Sequence, residues 1–151
     1  MALDLVHRFR LFLRAAFREQ IEGLLEGGAD VLVLETFSDI DQLVLAVDEA
    51  RRASDAPVIA SITFGEETAL ADGTSPSSAA AALATAGADV VGVNCGAGPA
   101  ASLDALEAMG HPRDGGPGRS IMPNAGLSQR LEGRFVYAAH PEYFGTVTPR
   151  L

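Results

Sequence analysis

A chain of 151 residues that is 48% apolar is long enough to bury one core and too hydrophobic for general disorder. Its formal net charge of −9 excludes nucleic acid and anionic membrane surfaces as partners, because both need clustered cations. One cysteine, Cys95, excludes an internal disulfide framework and points to a reducing, cytoplasmic compartment.

The first stretch mixes Arg8, Arg10 and Arg14 with Leu5, Val6, Phe9 and Phe12. It has no small-residue cleavage site and falls short of the roughly 18 apolar residues of a membrane span, so residues 1–16 read as an atypical N-terminal helical segment. A barrel domain over 17–151 is expected to follow. Its first helix places Phe17, Ile21, Leu24 and Leu25 on one face and stops at Gly27-Gly28. A strand then runs through Val31-Leu32-Val33-Leu34 to Glu35. Ser38-Asp39 supplies N-cap chemistry for a helix carrying Leu43, Val44 and Val47. Pro57 opens a strand through Val58 to Phe64, and Thr74 or Ser75 caps a helix with Pro76 at its first position and Gly87 at its end. Val90 to Cys95 is the next strand, Gly98-Pro99 starts a helix through Met109, and His111 to Gly118 is a loop. Ser120-Ile121-Met122 is a weaker strand, stopped by Pro123-Asn124-Ala125-Gly126.

One pattern recurs: Gly28-Ala29-Asp30-Val31 is echoed by Gly87-Ala88-Asp89-Val90, each copy leading into an apolar run that ends at a polar residue. Runs without alternation belong to strands buried in a parallel sheet. Strand ends at Glu35, Thr63, Asn94 and Asn124 are spaced by 28, 31 and 30 residues, one strand–helix unit each. The expected fold is therefore α/β. A barrel is favoured over an open doubly wound sheet because polar residues recur at every strand end and no Gly-x-Gly-x-x-Gly fingerprint follows a strand. A closed barrel needs eight units, so this is a partial (β/α)8 barrel.

The strand-end residues carry the chemistry. Cys95 reads as an inert buried thiol, a nucleophile or a metal ligand; no histidine is placed to act as its base. Glu35 needs a cation, either a substrate ammonium or a structural Arg. Asn124 is a turn former or an amide aimed at the site. Thr63 and Asn94 are pocket-lining candidates.

Taken together, Leu34-Glu35-Thr36-Phe37, Gly73-Thr74-Ser75-Pro76, Gly92-Val93-Asn94-Cys95 with Gly98-Pro99, Pro123-Asn124-Ala125-Gly126-Leu127 and Pro141-Glu142-Tyr143-Phe144 resemble the homocysteine S-methyltransferase family. The resemblance is greatest to the methyltransferase half of bacterial proteins that join this domain to methylenetetrahydrofolate reductase. It implies a (β/α)8 barrel, of which these units correspond to strands 4–7, and methyl transfer to zinc-bound homocysteine to give methionine. It implies that Cys95 is one of three zinc thiolates, that Glu35 holds the homocysteine amino group, and that Asn94 and Asn124 line the pocket; Thr63 is a pocket-lining candidate from its strand-end position alone. The methyl donor is left open among methyltetrahydrofolate with cobalamin, S-methylmethionine and another methyl donor. The family's paired second and third cysteines have no match here, so an incomplete site is expected. The alternative is a non-catalytic half-barrel that self-associates or docks on a partner supplying the missing strands.

Overall fold

A computed structural model describes residues 2–149 of the chain, apart from 66, 112–114, 127, 138 and 148. Residues 112–114 of the expected loop and Leu127 of the fourth motif thus lie outside the described residues. The helix α1 (Ala2–Glu26) crosses the expected division at residue 16 without interruption. It is followed by β1 (Leu32–Phe37), α2 (Ile40–Ala53), β2 (Val58–Ile62), α3 (Pro76–Ala86), β3 (Val90–Cys95), α4 (Pro99–Ala108) and β4 (Gly118–Pro123). A hairpin, β5 (Gln129–Leu131) with β6 (Arg134–Val136), and α5 (Pro141–Val147) complete the order. The hairpin is absent from the sequence reading. Its turn is Glu132-Gly133, both with positive φ, a two-residue connection less conspicuous than Asn-Gly.

The punctuation works as its chemistry dictates. The Asp39 side chain accepts from the Gln42 N–H at 3.1 Å to cap α2, and Ser75 accepts from Ser78 at 3.2 Å to cap α3. The repeated Gly-Ala-Asp has a geometric basis. Gly28 and Gly87 both turn left-handed (φ 88° and 99°), and Ala29 and Ala88 donate to Leu24 and Leu83 at 3.1 and 3.0 Å. Two identical helix stops therefore launch β1 and β3.

All four long strands are parallel and paired in sequential order, β1-β2-β3-β4. Right-handed crossovers in an order that never reverses place successive helices on one face. A doubly wound sheet reverses its order at a switch point; this one does not, and it is part of a barrel wall. Pleat parity then sorts the side chains. Leu32, Val58, Ala60, Ile62, Val91 and Val93 are all at most 2% exposed and pack with Leu43 and Val47 of α2, Leu83 of α3 and Ala105 of α4. On the opposite face Val33 and Met122 stay more than 40% exposed. That open face is narrow at its centre: a Cβ on Gly92 would lie 2.1 Å from Ser120 Oγ and 2.6 Å from its carbonyl oxygen.

Ionic ties hold the helical layer and the base of the sheet. Glu49 of α2 is fully buried; Arg14 of α1 reaches one of its oxygens at 2.5 Å, and Arg18 holds the other at 2.6 and 2.9 Å. At the base of β3, Asp89 receives Arg51 and, at 2.7 Å, the Val58 N–H that begins β2. Its repeat counterpart Asp30 is exposed at the free edge of β1.

Burial raises the Glu49 pKa, but the Arg18 and Arg14 hydrogen bonds outweigh it and hold the carboxyl below its ordinary value. A depressed folded-state pKa contributes stability above the unfolded value, near 4.3, and loses it as pH falls through the folded one. The unfolding midpoint should therefore be flat from neutral pH to about 5 and drop steeply below about 4. Glu49→Gln should cost about 2 kcal/mol at pH 7 by urea titration and shallow that acid slope.

Candidate functional site at the strand ends

The carboxyl ends of β1, β2 and β3 are joined into one hydrogen-bonded network, with Asn94 at its centre. Asn94 is the next-to-last residue of β3, on the open-face parity, and is only 2% exposed. Its Oδ1 accepts from the Thr36 backbone N–H at 3.1 Å and from Thr63 Oγ1 at 3.4 Å. Its Nδ2 donates to Thr36 Oγ1 at 2.8 Å and lies 3.4 Å from Cys95 Sγ. One carboxamide thus binds β1, the residue after β2, and the thiol.

Local backbone distortion makes this convergence possible. The β1–β2 register shifts between Leu34 and Phe37, so Glu35 and Thr36 form an irregularity of the kind that re-aims side chains beside sites. Thr36 (φ 64°) and Cys95 (φ 56°) are both left-handed without being glycine, an unfavourable state kept only where surrounding contacts impose it. Gly96 follows with φ 68°, and a Cβ there would sit 2.9 Å from the Phe64 carbonyl oxygen, so this position needs glycine. Ser102 of α4 donates to the Cys95 carbonyl at 3.3 Å.

The expected site residues fall as follows. Thr63, Asn94 and Cys95 are brought together. Asn124 is engaged at both ends: Nδ2 donates to the Gly96 carbonyl at 2.8 Å and Oδ1 accepts from Gly126 N at 2.8 Å. It is therefore a turn former that also clamps the β3–α4 loop. Glu35 is exposed, lines a cavity of about 270 Å³ with Thr36, Ser38, Asp39 and Gln42, and makes no ion pair with any Arg among the described residues. Of the two cations proposed for it, the structural one is not used there. A second cavity of about 390 Å³, lined by Gly98, Pro99, Ala125, Gly126 and Tyr143, opens beside the Asn124 clamp. Thr36 is the functional candidate that sequence reasoning missed. Its place in Glu35-Thr36-Phe37 was visible, but nothing in a single sequence marks a threonine as left-handed.

The donor set of the described residues does not complete a zinc site. Cys95 is the only thiol, and among the described residues no three His, Cys, Asp or Glu side chains cluster to hold a metal. The described residues therefore offer one sulfur and do not make a zinc site by themselves.

Truncating the hub should be costly. Asn94→Ala removes both partners of Thr36 and should destabilise the fold by about 2 kcal/mol, read as a drop of several degrees in the calorimetric midpoint. A midpoint unchanged from wild type would show that the network carries no such weight.

Sequence and structure comparisons place the chain among known proteins. Residues 10–149 match the homocysteine S-methyltransferase family. Methionine synthase of Mycobacterium tuberculosis is 36% identical over 120 residues, which cover 76% of this chain and 10% of that protein. Betaine–homocysteine S-methyltransferase 1 of Sus scrofa is 38% identical over 97 residues, covering 64% of this chain and 34% of the relative. The crystal structure of the apo homocysteine methyltransferase MmuM from Escherichia coli superposes with a TM-score of 0.59 at 26% identity, over 66% of this chain and 38% of that one. The chain thus spans about a tenth of the methionine synthase and a third of the betaine enzyme. It belongs to the homocysteine S-methyltransferase family.

Proposed function

We propose that this chain forms the strand 4–7 part of a homocysteine-binding barrel whose complete form transfers a methyl group to the homocysteine sulfur, giving methionine. The observation that carries the reading is the strand-end network of Thr36, Thr63, Asn94 and Cys95, inside a stretch matched to the family over residues 10–149. Glu35, exposed and free of any Arg among the described residues, suits the substrate ammonium. Cys95 is assigned as one zinc thiolate, with the remaining ligands supplied by the other barrel units. The thiol of free homocysteine is mostly protonated at neutral pH, and zinc held by protein thiolates would lower its pKa and make it a nucleophile. The chain's own residues bind and orient: Glu35 the amine, Asn94 and Thr63 the pocket wall, Asn124 the loop behind it. The methyl donor is left open among S-methylmethionine, a methyltetrahydrofolate–cobalamin system and another methyl donor, and the compartment is the reducing cytoplasm.

The open sheet face, with Val33 and Met122 exposed, and the outer edges of β1 and β4, unpaired among the described residues, favour a second reading alongside the first. In that reading the chain docks onto a polypeptide that supplies further parallel strands.

Co-expression with the complementary barrel units of the Escherichia coli relative tests both readings. Zinc should be stoichiometric only in the complex, and methyl transfer to homocysteine should require it. Glu35→Gln should raise the homocysteine KM about tenfold or more, as expected for loss of a charge-assisted contact. Tight stoichiometric zinc in the isolated chain would overturn the incomplete-site assignment; zinc retained after Cys95→Ala would overturn the ligand assignment.

A further inference from the structure

Parity along β3 should send the Cys95 side chain away from Asn94. Val91 and Val93 point into the helical layer and are fully buried there, and position 95 has the same parity. The left-handed turn at Cys95 instead brings Sγ to 3.4 Å from Asn94 Nδ2 and 3.8 Å from Thr36 Oγ1. Thr36 shows the mirror case on β1. Leu34 packs against the core, and the left-handed turn at Thr36 diverts its hydroxyl to the same meeting point.

The orientation of the Asn94 amide is fixed by its neighbours. A backbone N–H only donates, so the Asn94 atom facing Thr36 N is the oxygen and the other is the NH2 group. That NH2 donates to Thr36 Oγ1 at 2.8 Å. Between Thr36 Oγ1 and Cys95 Sγ, 3.8 Å apart, either atom can donate in the thiol form, and in the thiolate form the sulfur only accepts, from the hydroxyl. The thiolate sulfur therefore sits between two donors, one amide and one hydroxyl, and each is held by the other.

We infer that Thr36 is a positioning residue for Cys95: its hydroxyl, oriented by Asn94, holds the sulfur at the strand-end site against the direction that the pleat would give it. The inference rests on the reading of Cys95 as the thiolate of that site. It also accounts for a β-branched residue in a left-handed conformation, where glycine would be the relaxed choice.

Because the chain has one cysteine, selective labelling gives one Cys Cβ resonance, and its Hα–Hβ couplings read the side-chain rotamer directly. Wild type should show a single fixed rotamer. Thr36→Val keeps the shape and the β-branching but removes the hydroxyl; the couplings should collapse to averaged values with a shifted Cβ resonance. Thr36→Ser should restore the wild-type pattern. Thr36→Gly adopts the left-handed backbone without strain but lacks the hydroxyl, so it should also release the sulfur, which guards against a valine variant that fails to fold. Wild-type couplings in folded Thr36→Val or Thr36→Gly would overturn the inference. The measurement involves neither zinc nor homocysteine, so its failure is distinct from loss of zinc dependence in the assembled barrel, which would overturn the functional reading instead.

Discussion

A single buried carboxamide decides how the ends of three strands meet. Asn94 is nearly inaccessible, and burying an amide is tolerated only when its donors and acceptor are matched. Here they are matched by groups from β1, from the residue after β2, and by the adjacent thiol. The arrangement requires Thr36 to leave the regular strand path and Cys95 to abandon its pleat direction, so the distortions follow from satisfying one side chain. An unpaired amide in that position would cost more than either backbone turn. What looks like a polar cluster is thus one interlocked object, and its members do not vary independently.

Much of this was legible from residue types alone. The four strands, the caps at Asp39 and Ser75, the glycine stop at Gly87 and the barrel-type alternation all follow from local chemistry acting over a few residues. The Gly-Ala-Asp repeat was read as punctuation, and it corresponds to two matching helix stops. The illegible parts share a different origin. The strand irregularity at Glu35–Thr36 and the left-handed turn at Thr36 are tied to Asn94, 58 positions away, and the left-handed turn at Cys95 turns its sulfur toward the same contacts, none of which propensity registers. Asn124 was ambiguous between turn and site because the same amide does the turning and the clamping. The helix α1 runs through residue 16 because helical backbone geometry is satisfied equally by Arg-rich and Phe-rich segments.

Stability and chemistry occupy opposite ends of the sheet. Asp89 fastens the entry to β3 to the first amide of β2 and to Arg51, and the pKa of its carboxyl is held down chiefly by the Val58 amide. Glu49 fastens α1 to α2 on the outer layer. Neither belongs to the strand-end network. Such a separation lets loops at the carboxyl ends carry strain while the base and outer shell supply rigidity, as barrel folds generally require.

The unreversed strand order also governs how the chain can assemble. Each long strand pairs only with those next to it in sequence, so every strand pairing closes a loop of roughly thirty residues and none spans the whole chain. Loop-closure entropy grows slowly with length, which makes each successive pairing similar in cost to the one before. The sheet can therefore grow outward from either central pairing by adding one unit at a time. Growth of this kind has no internal stop: the outer edges of β1 and β4 are extended by the same step that joined β2 to β3.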